Sequence, residues 1–169
     1  MDAYKLSDIQ RQVHEWTSQF TPQYWPAEQV LTRLAEEVGE VARQINHLHG
    51  FKKKKADEAT KQLGDELADV VFTLACMAGT HGMTMEPVRT DYVETNPYPA
   101  MAELIKHQGY MADIILRNET VILPACIGAM LNVSEALASM HGIDLAAEFD
   151  RVMKEKHYGR DQARFEKKV

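Results

Sequence analysis

Cysteine is nearly missing from these 169 residues: only Cys76 and Cys126 occur, and they form no Cys-x-x-Cys spacing. Two isolated thiols in apolar surroundings exclude a disulfide framework and a zinc site, and read as small core residues in a reducing compartment. Positive charge is also scarce. With 19 Lys and Arg against 25 Asp and Glu, the formal net charge is -6, which argues against bulk nucleic-acid binding. Long apolar runs are absent too. The longest, Val121 to Leu131, is interrupted by Pro124 and is too short to span a bilayer, so no membrane association is expected. The polar start Met1-Asp2-Ala3-Tyr4-Lys5 carries no signal peptide, and the expected location is cytoplasmic. Sustained two-residue alternation and Asn-Gly or Asp-Gly hairpin turns are lacking, which excludes a strand-built fold. What remains is 45% hydrophobic and 26% charged residues, the balance of a globular domain long enough to bury a core.

The apolar residues present recur at helical spacing. Leu6, Ile9, Val13, Trp16 and Phe20 step by three and four and predict a first helix. Thr21-Pro22-Gln23-Tyr24-Trp25 breaks it, and Pro26 opens a second helix, where a missing N–H costs nothing. Its stripe is Val30, Leu31, Leu34, Val38, Val41, Ile45 and Leu48, and it stops near His49-Gly50. A basic loop, Phe51 to Asp57, carries Lys52-Lys53-Lys54-Lys55. A third helix is expected over roughly Glu58 to His81, ended by a left-handed Gly82. After the break at Asn96-Pro97-Tyr98-Pro99, helices are expected near 100–117, 121–140 and 144–157. The fold class is all-α.

Acidic residues border the apolar stripes of two of these helices. Glu36, Glu37 and Glu40 are spaced i, i+1, i+4, and Glu66 and Asp69 are spaced i, i+3. At about 100° per residue the first three fall within an arc of about 100°, and the second pair within about 60°. Carboxylates at the rim of a packing seam repel unless a cation sits between them. Oxygen-only ligands suit Mg²⁺, with Mn²⁺ as second choice, and leave coordination positions for substrate phosphates. Asp65, about 100° from Glu66 on the helix, reads as a solvated acid.

The two halves of the chain also resemble each other. Leu34 to Ile45 aligns with Leu104 to Ile115, and Leu67 to Met83 aligns with Ile127 to Ile143. The apolar frame, Gly39/Gly109 and the His-Gly ends are kept, whereas Glu36, Glu37, Glu40, Glu66 and Asp69 face Lys106, His107, Tyr110, Cys126 and Ala129. This predicts a duplicated helix pair about a pseudo-two-fold axis, with residues 1–95 as the acid-bearing half and 96–169 as a degenerate second half with a basic tail. If the symmetry holds, Lys106 and His107 are candidates to face the cleft as phosphate binders. The apolar first helix and the many methionines point to a homo-oligomer, a dimer or higher.

Glu36-Glu37-Val38-Gly39-Glu40 followed by Glu66-Leu67-Ala68-Asp69 resembles the EExxE and ExxD motif of the all-α nucleoside triphosphate pyrophosphohydrolases, the MazG-like and dimeric dUTPase superfamily. The resemblance extends to Trp25-Pro26, the lysine-rich loop and a tail from Arg151-Val152-Met153-Lys154 through Arg160-Asp161, and is similar to small bacterial MazG-like proteins. Residues 83–120 have no counterpart in the shortest members.

That resemblance implies a MazG-like helical bundle hydrolysing a nucleoside triphosphate between its α- and β-phosphates, with a house-cleaning or dUTP-hydrolysing role in keeping. It implies Glu37, Glu40, Glu66 and Asp69 as ligands of Mg²⁺ and Glu36 as the residue that orients or deprotonates water. Lys54, Lys154 and Arg160 are expected to meet phosphate charge, with Lys156 in the same tail, and Trp25, Asn46 and His47 to flank the nucleobase. A di-iron bundle is excluded because none of Glu36, Glu37, Glu40 or Glu66 has a His three residues on. Two alternatives stand beside this reading: a non-enzymatic helical module with an acidic docking face, and a phosphoribosyl-ATP pyrophosphohydrolase activity.

Overall fold

A computed structural model describes residues 1–51, 53, 62–86, 94–160, 163 and 167. The described chain is helical, with a single isolated bridge between Phe20 and Lys167 as its only β pairing. Helix α1 spans Ala3–Thr17, α2 Ala27–His49, α3 Leu63–Thr80, α4 Pro97–Arg117, α5 Leu123–Met140 and α6 Leu145–Val152, which runs into a π-helical segment, Met153–Arg160. A 3₁₀ turn, Thr120–Ile122, precedes α5.

The helices α2 and α3 pack as an antiparallel pair, α4 and α5 as another, with α2 against α4 and α3 against α5. Leu34, Val38, Val41 and Ile45 of α2 and Leu67, Val70, Val71 and Leu74 of α3 are buried between them. The second pair supplies Leu104 and Met111 from α4 and Ile127, Met130, Leu131 and Leu137 from α5. α1 lies on α3 with Leu6, Ile9, Val13 and Trp16 buried, and α6 packs on α3 beside it, Gln12 donating to Asp150 at 2.9 Å.

The third helix spans Leu63–Thr80, opened by an extended Gln62 (φ -116°, ψ 156°) that closes a capping box with Asp65, and the expected start near Glu58 lies outside the described residues. Two other boundaries differ from the sequence expectation. The fifth helix, expected from 121, is α-helical from Leu123 onward, and Pro124 follows at once. This proline sits in the first turn, where its missing N–H has no intrahelical partner to lose. The expected 144–157 helix is α only to Val152 and π from Met153. Thr120–Met140 is thereby one continuous stretch long and apolar enough to cross a membrane by length and composition, yet Leu123, Ile127, Met130 and Leu137 of this stretch are core residues of the bundle.

Both pairs end alike. Gly82 (φ 63°) and Gly142 (φ 67°) are left-handed. The Met83 N–H donates to the Ala78 carbonyl at 2.9 Å, and the Ile143 N–H to the Ala138 carbonyl at 2.9 Å, so each closes the same six-to-one cap. The α1 seam is buried within the chain, as are Met77, Met85, Met101, Met111, Met130 and Met153, while Met1, Met83 and Met140 are partly buried. Large apolar side chains exposed among the described residues include Trp25, Leu48, Phe51, Ile105, Leu116, Val121 and Ile122.

Candidate metal and nucleotide site

Arg33, Glu37, Glu40 and Gln44 follow one another by four, three and four residues, so they share a stripe along α2 beside the core stripe. Glu66, Asp69 and Thr73 form the matching stripe on α3. Antiparallel packing brings the two together, and Glu37, Glu40 and Glu66 each offer a carboxylate oxygen within 4.8 Å of the others. Asp69 lies one turn further along α3 and its charge acts on Glu37. Glu37, Glu66 and Asp69 are buried, each at most 3% exposed.

Carboxylates so close and so dry are costly. At 4.8 Å and an effective dielectric of about 20, each like-charged pair repels by roughly 3 kcal/mol. Burial, with Asp69 nearby, pushes the Glu37 carboxyl up from 4.5 to about 7. Burial also raises Asp69, against the pull of Lys156. Arginines offset part of the charge. Arg33 forks between Glu36, at 2.6 Å, and Glu37. Arg43 lies 3.0 Å from Glu40 and 3.7 Å from Glu66. Lys156 of the π-helical segment binds Asp69 directly. The donor set is oxygen-only, convergent and still acidic, which fits a hard divalent cation.

Beside the acids opens a cleft of about 770 Å³. Its polar end is formed by Arg33, Glu36, Glu37 and Asp69, and its other walls by Trp16, Phe20, Tyr24, Trp25, Phe72 and His157. Aromatic rings hold the far wall together: His157 stacks on Phe72 at 4.0 Å and 14°, and Trp16 meets both edge-on. Cys76 lines the same cleft, but burial pushes its thiol up to about 12, which excludes it as a nucleophile near neutrality.

The remaining expected residues are scattered. Glu36 is on the cleft wall with a side chain 59% exposed. Trp25 lines the cleft, and its carbonyl accepts a hydrogen bond from the Thr80 hydroxyl at 3.1 Å. Asn46 and His47 lie on α2 beyond Glu40 and are not among the cleft-lining residues. Lys154 and Arg160 are exposed and also lie off the cleft wall; of this tail, Lys156 is the cation that reaches Asp69. Lys54 lies outside the described residues. Lys106 binds Glu103, His107 lies 3.6 Å from the same carboxylate, and neither is among the cleft-lining residues. Asp65 is no free surface acid. It accepts from the Gln62 N–H at 3.2 Å and pairs with Arg151, fastening α6 to α3.

Sequence reasoning passed over Arg33, Arg43, Phe72 and His157. The arginines carried a readable signal, Arg33 standing three and four residues before Glu36 and Glu37, and Arg43 three after Glu40. The rings did not, because which helix faces meet across the fold is not written in local spacing.

Comparison with known proteins agrees with this geometry. Residues 26–94 match the model of the MazG nucleotide pyrophosphohydrolase domain, a span that holds all five acids. An uncharacterized protein of Bacillus subtilis (strain 168), YpjD, is 40% identical over 81 residues, covering 48% of this chain and 73% of the relative. No solved structure matches. Fold, acidic pair of helices and sequence match coincide on the same stretch, and the chain belongs to the MazG nucleotide pyrophosphohydrolase family.

Proposed function

We propose that the chain is a Mg²⁺-dependent hydrolase that splits nucleoside or deoxynucleoside triphosphates into the monophosphate and pyrophosphate. The observation that carries this reading is the convergence of Glu37, Glu40 and Glu66 beside a cleft walled by aromatic rings. Glu37, Glu40, Glu66 and Asp69 would hold the cation, which when bound neutralises phosphate oxygens and stabilises charge developing toward the leaving pyrophosphate. Glu36 stands at the cleft wall, its carboxylate held by Arg33 at 2.6 Å. There it orients water toward the α-phosphorus and takes its proton as the α–β bridging bond breaks. Arg33 then serves two ends, pairing with the acids in the free chain and meeting phosphate oxygen when substrate enters.

The nucleobase lies at the aromatic end, against Trp25, Tyr24 and Phe72, with Gln23, Gln29 and Thr73 among the polar edges available to it. A house-cleaning role against surplus or aberrant nucleotides, dUTP included, is consistent with such a pocket. Assay of a triphosphate panel, with dUTP and phosphoribosyl-ATP included, for pyrophosphate against orthophosphate tests the reaction. The expected product is pyrophosphate with Mg²⁺, lost in Glu40→Gln. Orthophosphate as sole product rejects α–β cleavage, and no product from any member leaves an acidic docking module.

A further inference from the structure

Two consecutive residues of the π-helical segment meet the same turn of α3, and the His157 Nε2 lies 3.9 Å from Asp69. The Lys156 ammonium binds Asp69, in the place where a bound cation would balance that carboxylate. The neighbouring His157 ring is buried, stacked on Phe72 at 4.0 Å and 14° and edge-on to Trp16 at 5.0 Å. A flat heteroaromatic ring on Phe72, one residue from a positive charge on Asp69, has the outline of a base joined to a metal-bound phosphate. We propose that the chain plugs its own site: Lys156 stands in for the divalent cation and His157 for the nucleobase, and the segment Met153–Arg160 must move aside when metal and nucleotide bind. This rests on the reading of the cleft given above.

The local structure suits a movable plug. The segment is π-helical over eight residues, Met153–Arg160, a form rarely sustained and commonly found where a helix serves function. Beyond Met153 and His157 its side chains are exposed or half-exposed, so few apolar contacts resist its release. Besides the two contacts just described, buried Met153 and the pairing of Glu155 with Arg151 at 3.1 Å hold its start. A plug seated nine-tenths of the time weakens apparent ligand affinity by about tenfold, since only the open fraction binds.

Hydrogen exchange on the full chain, followed by mass spectrometry over residues 153–160, tests this with Mn²⁺ alone as probe. The plug predicts that Mn²⁺ speeds exchange in this segment and that His157→Ala does so without metal. It further predicts that Lys156→Met tightens Mn²⁺ binding by about tenfold. Lys154→Met removes the same charge from the exposed side of the segment and should change affinity less than about twofold. Exchange that slows or stays constant on Mn²⁺ binding overturns the plug and makes the tail a clamp. Equal tightening in both lysine variants also overturns it, since bulk charge would then be the cause. A chain that frees its tail with Mn²⁺ yet releases no pyrophosphate keeps the plug and loses the proposed reaction.

Discussion

The Tyr24 ring lies directly on Gly79: a Cβ built at Gly79 would come within 2.3 Å of the ring. This contact sets one wall of the cleft, because Tyr24 belongs to the loop between α1 and α2 and Gly79 to the last turn of α3. The tyrosine hydroxyl is in turn tied to His14 Nδ1 at 3.1 Å. Glycine is required here for space, since no residue with a side chain leaves room for the ring.

Gly79→Ala should therefore displace Tyr24 and cost about 1–3 kcal/mol, the usual range for overpacking. Thermal melting reads the cost, and nucleotide affinity should fall along with it. A neutral Gly79→Ala would show that the loop sits off α3.

Gly82 and Gly142 test the repeated architecture. Both have positive φ, 63° and 67°, and nothing within 4 Å of a built Cβ, so alanine meets strain without collision. Each Gly→Ala change should destabilise by about 1–2 kcal/mol. Similar losses in urea melts are expected from both; a cost at one position alone would show that the caps differ in more than sequence.

Glu37 sets a pH dependence. Its folded carboxyl titrates near 7, against 4.5 ordinarily, so between these values the folded chain binds more protons than the unfolded one. The stability this group contributes is fully present below about 4.5 and is lost as pH rises through about 7. Metal binding runs the other way, since the ligand is the ionised form. Apparent Mn²⁺ affinity should fall below pH 7, approaching tenfold per unit for one released proton. Titrations at pH 6 and 8 check this, and Glu37→Gln should bind weakly with a flatter profile. In metal-free buffer at pH 8 that variant should melt higher than wild type. Arg33 keeps its second partner, Glu36, at 2.6 Å, so little pairing is lost.

Much of this molecule can be read from local pattern. The three-and-four spacing of Leu34, Val38, Val41 and Ile45 fixes α2 and its buried face, and the ends at Gly50 and Gly82 follow from residues that stop helices. The family motif picks out the acids, and antiparallel pairing of two striped helices is enough to bring Glu37, Glu40 and Glu66 together. What escaped depended on distant chain segments. Asp65 looks solvated until Arg151, 86 positions later, is placed against it. The choice of Lys156 over Lys154 or Arg160 turns on the π-helical phase of the tail, which shifts every side chain relative to an α-helix. Asn46 and His47 follow the acids in sequence, but the cleft opens toward the other end of α2, at Gln29, Val30 and Arg33.

The central claim is that Glu37, Glu40, Glu66 and Asp69 act as one cation site. Calorimetric titration of Mn²⁺ into wild type, Glu40→Gln and Glu66→Gln, with a melt of each to confirm folding, tests it most directly. The account predicts saturable binding to wild type, a higher melting temperature with the metal, and at least tenfold weaker binding in both folded variants. Equal affinity in all three proteins would contradict it.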